Sequence, residues 1–178
     1  PVQGFGLPRW LVPAITPGEF ISQDYGPSFP QVNDLQSLAI DNGGIHVASS
    51  VPTASGIIVG DRPQRGGNRL FLRDGRILDS SSGALLGSLA LPSSFYPLAH
   101  LVDESLSRVF VWTRVGERDF ILIYDLETLQ LLALAPVYGQ PVSPALRGKL
   151  IRWGTDGLAL VDGSGLYDVK TGIGFLDH

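Results

Sequence analysis

The sequence predicts an all-β fold built from about three repeated four-stranded units. Glycine and proline account for 22 and 13 of the 178 residues, which favours turns over helices. Short apolar runs alternate with polar turn sequences along most of the chain, as they do in proteins made of many short strands. One strand–turn–strand pattern also occurs three times, which indicates a repeat architecture.

The composition sets limits on the class of protein. Apolar residues make up 44% and charged residues 17%, as in a packed globular chain. A net charge of −4 is too small to indicate a nucleic-acid partner. The absence of cysteine excludes disulfides and thiolate metal sites, and three histidines are too few for a histidine-rich site. The chain begins at Pro1 and contains no methionine, so we expect a processed form or a piece of a longer protein.

The N-terminal segment, residues 1–33, is expected to be a Pro-rich extended arm. It contains six prolines, which disfavour regular pairing. Two short apolar runs interrupt it, RWLVPAI at 9–15 and GEFISQ at 18–23. The repeated units are expected over residues 34–178, with boundaries near 34–92, 97–137 and 141–178.

The first unit begins with LQSLAIDNGGIHVASS at 35–50, where two apolar runs flank DNGG. This pattern predicts a β-hairpin. An insertion follows between residues 51 and 67. RILDSSSGALLGSL at 76–89 then predicts a strand, a polar turn and a returning strand.

The second and third units follow the same plan. In the second, DESLS breaks the apolar stretch 97–115, and LIYDLETLQLLAL at 122–134 supplies the strand–turn–strand segment. In the third, GTDG breaks the stretch 149–165, and GLYDVKTGIGFL at 165–176 supplies the last segment. Its returning strand is expected to be short or absent. Four short strands over roughly 40 to 50 residues are the spacing of a β-propeller blade.

The three strand–turn–strand segments superpose on an aspartate, and these aspartates are 46 and 43 residues apart. They are Asp79, Asp125 and Asp168, followed three residues later by Ser82, Thr128 and Thr171 respectively. Asp and Ser/Thr side chains bond nearby backbone groups and close turns. Equivalent positions in stacked units lie a blade apart, too far to share an ion. We therefore expect these residues to be structural, and we expect no metal site.

These segments resemble the bacterial YVTN-type and quinoprotein-like β-propeller repeats. There a third strand ends in Asp, turns through a Ser/Thr-Gly pair and returns as the outer strand. LIRWGTDGLALVDGSGLYDV is similar to the opening strands of such repeats, so the resemblance covers roughly residues 34–178. It implies a β-propeller-like fold. Because closed propellers normally have 4 to 8 blades, about three blades would form an incomplete ring.

An arginine-rich stretch at 60–76, GDRPQRGGNRLFLRDGR, is the most unusual local feature. It contains five of the thirteen basic residues, namely Arg62, Arg65, Arg69, Arg73 and Arg76. Guanidinium groups suit phosphate, sulfate or carboxylate, so an acidic glycan or an acidic protein surface is a candidate ligand. The alternative is a solvated loop and strand face. Nucleic acid does not fit, because the chain is acidic and aromatics are not interleaved with the arginines.

Histidines and tryptophans are weaker candidates. His46 and His100 lie on early strands of their units, but neither has a recurring carboxylate partner to orient it as a base. The three tryptophans, Trp10, Trp112 and Trp153, could offer a sugar-stacking platform, although aromatics within strands favour packing. We expect both groups to be packing or surface residues.

The function predicted on these grounds is a non-enzymatic binding, scaffold or assembly module without a cofactor. An incomplete ring exposes blade faces and strand edges, so we expect a homo-oligomer or a partner chain that supplies further blades. One alternative is part of a propeller enzyme, because the resembled families include lactonases and quinoproteins, whose sites need several blades. Another is a structural fibre or surface-layer subunit. We expect an extracellular or periplasmic location and no membrane span.

Overall fold

The computed structural model shows an all-β protein. It describes residues 10–25, 33–52, 63–138, 148–154, 157–162 and 165–171. These ranges contain antiparallel sheets and one 3₁₀ helix, Glu104–Leu106, but no α-helix, and no sheet in them closes into a barrel. In the described ranges two sheets have four strands each. A third set of seven strands consists of a four-stranded sheet joined at one end to a smaller sheet of three. This arrangement confirms the predicted β-propeller-like class. No helix in the described ranges is long and apolar enough to cross a membrane.

The first compact unit comprises Pro1–Leu72 and Arg76–Ser88. Its first sheet contains four antiparallel strands in chain order: β1 (Val12–Pro13), β2 (Glu19–Tyr25), β3 (Asn33–Asp41) and β4 (Gly44–Pro52). Its second sheet also contains four antiparallel strands in chain order: β5 (Gln64–Gly66), β6 (Arg69–Phe71), β7 (Arg76–Asp79) and β8 (Leu85–Ser88).

The N-terminal segment contributes two strands to the first sheet. Its two apolar runs form β1 and β2, and β2 pairs with β3 from Glu19↔Ala39 to Tyr25↔Asn33. These strands form because their apolar side chains reach the core of the unit. That core contains Trp10, Val12, Ile21, Leu35, Leu70, Leu72 and Leu78. Apolar burial thus overrides the irregularity that the prolines suggest.

The stretch 34–92, treated as one blade from the sequence, contributes to two sheets. The predicted DNGG hairpin is present as β3 and β4, with Asp41 opposite Gly44. The strand–turn–strand segment is present as β7 and β8. They lie in different sheets because Gln64–Gly66, at the end of the predicted insertion, forms β5 and starts a second sheet with β6.

The second compact unit comprises Arg73–Gly75 and Leu89–His178. Its strands are β9 (Tyr96–Asp103), β10 (Arg108–Val115), β11 (Arg118–Asp125), β12 (Leu131–Tyr138), β13 (Lys149–Trp153), β14 (Gly157–Asp162) and β15 (Gly165–Thr171). Strands β9 to β12 form one antiparallel sheet and β13 to β15 a smaller one. The end of β12 joins the two through Val137↔Thr171 and Tyr138↔Lys170.

The core of this unit lies among strands of both sheets. It contains Leu98, Ala99, Phe110, Trp112, Ile121, Ile123, Ala135, Leu150, Leu158, Leu160 and Val169. Consecutive residues of β10 and β11 are buried, including Val109 to Trp112 and Ile121 to Tyr124. Burial on both faces explains why the apolar alternation of these strands is interrupted in the sequence.

The 46-residue recurrence is present in the backbone of β7–β8 and β11–β12. In both hairpins the register shifts once, so that the outer strand carries one extra residue. That residue is Leu86 in β8 and Leu132 in β12, which are 46 positions apart. The residue that closes each turn has a positive φ, +67° at Gly83 and +59° at Leu129.

Candidate functional site

Asp79 is held by the turn that follows its strand. Its Oδ1 accepts hydrogen bonds from Ser81 N and Oγ at 3.0 and 2.6 Å, and from Ser82 N and Oγ at 2.8 Å each. The Ser81 hydroxyl and then the Ser82 N–H are the main causes that lower the pKa of Asp79 to about 2. Donors that favour the ionised form make the carboxylate a weak base near neutral pH.

Asp125 occupies the equivalent place after β11. Its Oδ1 accepts from Glu127 N at 3.0 Å and from Thr128 N and Oγ1 at 2.8 and 3.0 Å. Arg108 Nη1 lies 3.2 Å from Asp125 Oδ2. The Thr128 N–H is the main cause that lowers the pKa of Asp125. In the third segment the backbone does not turn after the aspartate: Asp168 and Thr171 both lie within strand β15, opposite Ala159 and Val137. Their side chains lie outside the described part of the chain.

The arginines do not share one face of the second sheet. Arg65 lies opposite Leu70, which in turn lies opposite Leu78, so these three share one face of the sheet. Arg76 lies on the same face, because it is two positions before Leu78 on β7. Arg69 lies opposite Asp79 on the other face, with its guanidinium 5.9 Å from the Phe71 ring centroid. Arg73 belongs to the second unit, where its Nε donates to Pro97 O at 3.1 Å. Arg62 lies outside the described residues.

The histidines and tryptophans are dispersed. His46 is exposed, with its Nδ1 3.7 Å from Asp41 Oδ2, whereas His100 is buried on β9. Trp10 and Trp112 are buried in the cores of their units, and Trp153 is exposed on β13. Among the described residues, no three His, Cys, Asp or Glu side chains form a group suited to a metal ion.

An ion pair that the sequence analysis missed lies at the end of the β10–β11 hairpin. Arg114 and Asp119 face each other across the two strands. Arg114 Nε and Nη2 donate to the two carboxylate oxygens at 2.6 and 2.8 Å, a bidentate geometry. The side chains are only 14% and 6% exposed, and the bond to Asp119 raises the pKa of Arg114. The signal was RVGERD, with opposite charges flanking a turn.

A second missed pair links β9 with β13. Arg152 Nε lies 3.4 Å from Asp103 Oδ2. The other oxygen, Oδ1, accepts from Ser105 Oγ at 2.6 Å and Leu106 N at 3.2 Å and so caps the 3₁₀ helix. Arg152 and Asp103 are 49 positions apart, so no local pattern could have identified them as partners.

Tyr124 is the remaining strongly perturbed group. Its hydroxyl donates to Ala90 O at 3.1 Å, and burial raises its pKa to about 12. The shifts at Asp79, Arg114 and Tyr124 all move the pKa further from neutrality. Such pKa values do not suit acid–base catalysis near neutral pH, so these three side chains fit structural roles.

An exposed apolar surface lies on β12. We call Leu131, Leu132, Leu134 and Tyr138 the leucine surface; these side chains are 43% to 61% exposed. The strand LLALAPVY contains no charged residue. In the first unit, β8 exposes Leu85 and Leu86 at the equivalent positions of its hairpin. Several exposed apolar side chains on one strand are more than the singly scattered ones that need no explanation, and such groups are typical of interaction surfaces.

No family model matches the chain, and no curated protein matches it, so the YVTN-type resemblance stays a prediction. Among solved structures, a Bacteroides uniformis protein provisionally assigned as a 6-phosphogluconolactonase is similar, with 15% sequence identity and a TM-score of 0.49. The match covers 94% of this chain and 57% of that protein, so the chain spans little more than half of its length.

Proposed function

We propose that the chain is a non-enzymatic binding or assembly module, and that its leucine surface docks on another copy of the chain. The observation that carries the proposal is the exposure of Leu131, Leu132, Leu134 and Tyr138 on one uncharged strand. Removing apolar area from water contributes roughly 25 cal/mol per Å², so several leucines covered together favour association.

A second copy is the partner that the surface chemistry favours. Two copies related by a two-fold axis present the same surface to each other. A charged patch would meet its own like charge and be repelled, whereas an uncharged patch would not. The extra residue in β12 and Pro136 both hinder strand addition along its edge. Contact between copies therefore uses the leucine side chains rather than backbone pairing.

The two described groups whose pKa is displaced furthest, Asp79 and Tyr124, fit structural roles better than catalytic ones. The pKa of Asp79, about 2, and that of Tyr124, about 12, are both far from neutral. A general acid or base works best with a pKa near the working pH. We also propose an extracellular or periplasmic location, which fractionation of the native cells would test.

Sedimentation velocity over a range of protein concentrations tests the assembly. The wild-type chain should become larger as its concentration rises, and Leu134→Glu should remain monomeric because it places a charge within the leucine surface. Gln130→Glu adds the same charge at an exposed position before β12 and should behave as wild type. A wild-type chain that is monomeric throughout contradicts the proposal.

Three alternatives are tested alongside. Hydrolysis of a lactone panel by the purified chain, above the buffer rate, would favour the propeller-enzyme alternative. Saturable binding of an acidic glycan that Arg65→Ala or Arg69→Ala weakens would favour the arginine stretch as the binding site. Long filaments in electron micrographs would favour the fibre or surface-layer alternative over a closed oligomer.

A further inference from the structure

Asn42 and Gly43 form the exposed turn between β3 and β4. Asp41 and Gly44 are paired on either side of the turn, and all four residues are exposed. Gly44 has a φ of +105°. The backbone N–H of Gly43 donates to Asp41 Oδ1 at 2.7 Å. The turn therefore places a side-chain amide, the backbone nitrogen of a glycine and a carboxylate within three consecutive residues.

These groups are the reactants of asparagine deamidation. The Gly43 nitrogen forms a bond to Asn42 Cγ, the bond from Cγ to the side-chain nitrogen breaks, and ammonia leaves with the proton released by the Gly43 nitrogen. Water then opens the five-membered imide to aspartate or isoaspartate. Glycine permits this attack better than other residues because no Cβ shields its nitrogen.

We propose that Asn42 is a spontaneous deamidation site and that Asp41 assists it. The Asp41 carboxylate accepts the hydrogen of the attacking nitrogen, so it can take the proton as the new bond forms and pass it to the departing ammonia. This assistance depends on the hydrogen bond in the folded hairpin. Asp41 is thus a positioning and proton-accepting group, and Asn42 is the residue that changes.

Modification would change the chemistry of the hairpin end. Either product adds a carboxylate beside Asp41, and isoaspartate also lengthens the backbone by one methylene where Asp41 pairs with Gly44. The turn lies between Ile40 and Ile45, which are opposite each other and exposed. An added charge makes this apolar pair a less favourable contact surface. Deamidation would thus reduce the apolar character of the hairpin end as the protein ages.

The chain provides internal controls. It contains three asparagines, and the other two, Asn33 and Asn68, precede Asp34 and Arg69. Both of those following residues carry side chains that shield the backbone nitrogen. Asn68 is exposed in a turn, as Asn42 is, so exposure alone does not distinguish the two.

The experiment incubates the full chain in mildly alkaline buffer and follows each asparagine by peptide mass spectrometry. Conversion at Asn42 should be complete while Asn33 and Asn68 remain intact, and isoaspartate should be the main product. Gly43→Ala should nearly abolish the reaction, and Asp41→Ala should slow it several-fold. Equal rates at Asn42 and Asn68 would overturn the site. An unchanged rate in folded Asp41→Ala, checked by circular dichroism, would overturn the role of Asp41.

Discussion

Leu129 occupies a backbone conformation that suits glycine. Its φ is +59°, and the equivalent residue in the β7–β8 turn is Gly83, with a φ of +67°. A residue with a Cβ pays a steric cost of roughly 1–2 kcal/mol in this region, which glycine avoids. Glycine loses more conformational entropy on folding, and this loss offsets part of the gain. Leu129→Gly should therefore stabilise the chain by about 0.5–1 kcal/mol in urea unfolding. Gly83→Ala is the converse variant and should destabilise it; an opposite sign for either would refute the explanation.

Asp79 should make stability depend on pH in the acid range. Its folded pKa, about 2, is below the ordinary 3.8, so its contribution is present above pH 3.8 and lost as the pH falls towards 2. Asp79→Asn should therefore lower the urea midpoint at neutral pH, and the difference from wild type should shrink between pH 4 and 2. Glu117→Gln removes an exposed carboxylate from the turn between β10 and β11 as a control. A difference that is constant with pH would contradict the assignment.

The β10–β11 hairpin depends on its terminal ion pair. Arg114→Met would leave Asp119 buried without the guanidinium, and such losses cost roughly 3–5 kcal/mol. Arg114→Met combined with Asp119→Leu should recover most of that loss, because no unpaired charge remains. The measurement is a double-mutant cycle: the free energy of unfolding is determined in denaturant for the wild type, both single variants and the double variant. Additive losses would show that the two side chains do not interact.

Local chemistry explains which elements were predictable. The DNGG hairpin and the turns after Asp79 and Asp125 depend on side chains within a few residues, so they are visible in the sequence. The sequence indicated β1 and β2 only as two short apolar runs in an arm expected to be irregular, because the residues that bury them, such as Leu35 and Leu70, are distant in sequence. Strand β5 lies at the end of the stretch interpreted as an insertion. The ion pair of Asp103 and Arg152 was missed for the same reason: its partners meet only after two sheets have formed.

The repeat explains features that two separate hairpins of the chain share. Three features recur 46 positions apart in the β7–β8 and β11–β12 hairpins: the hydrogen bonds of the turn, the residue with positive φ and the extra residue in the second strand. The repeat does not show that β3–β4 and β7–β8 belong to separate sheets, because the strands that complete them have no recurring sequence. The number of sheets was therefore harder to predict than the structure of each hairpin.

Salt dependence should distinguish the two kinds of partner considered for this chain. Association through the leucine surface involves no charge, so about 1 M NaCl, where the Debye length is about 3 Å, should leave it intact. Sulfate should strengthen it, because this ion favours apolar burial. Binding of an acidic ligand by Arg65 or Arg69 would instead weaken steeply with NaCl. Sedimentation at low NaCl, high NaCl and added sulfate makes the comparison, and dissociation of the oligomer by NaCl would rule out the leucine surface as its main contact.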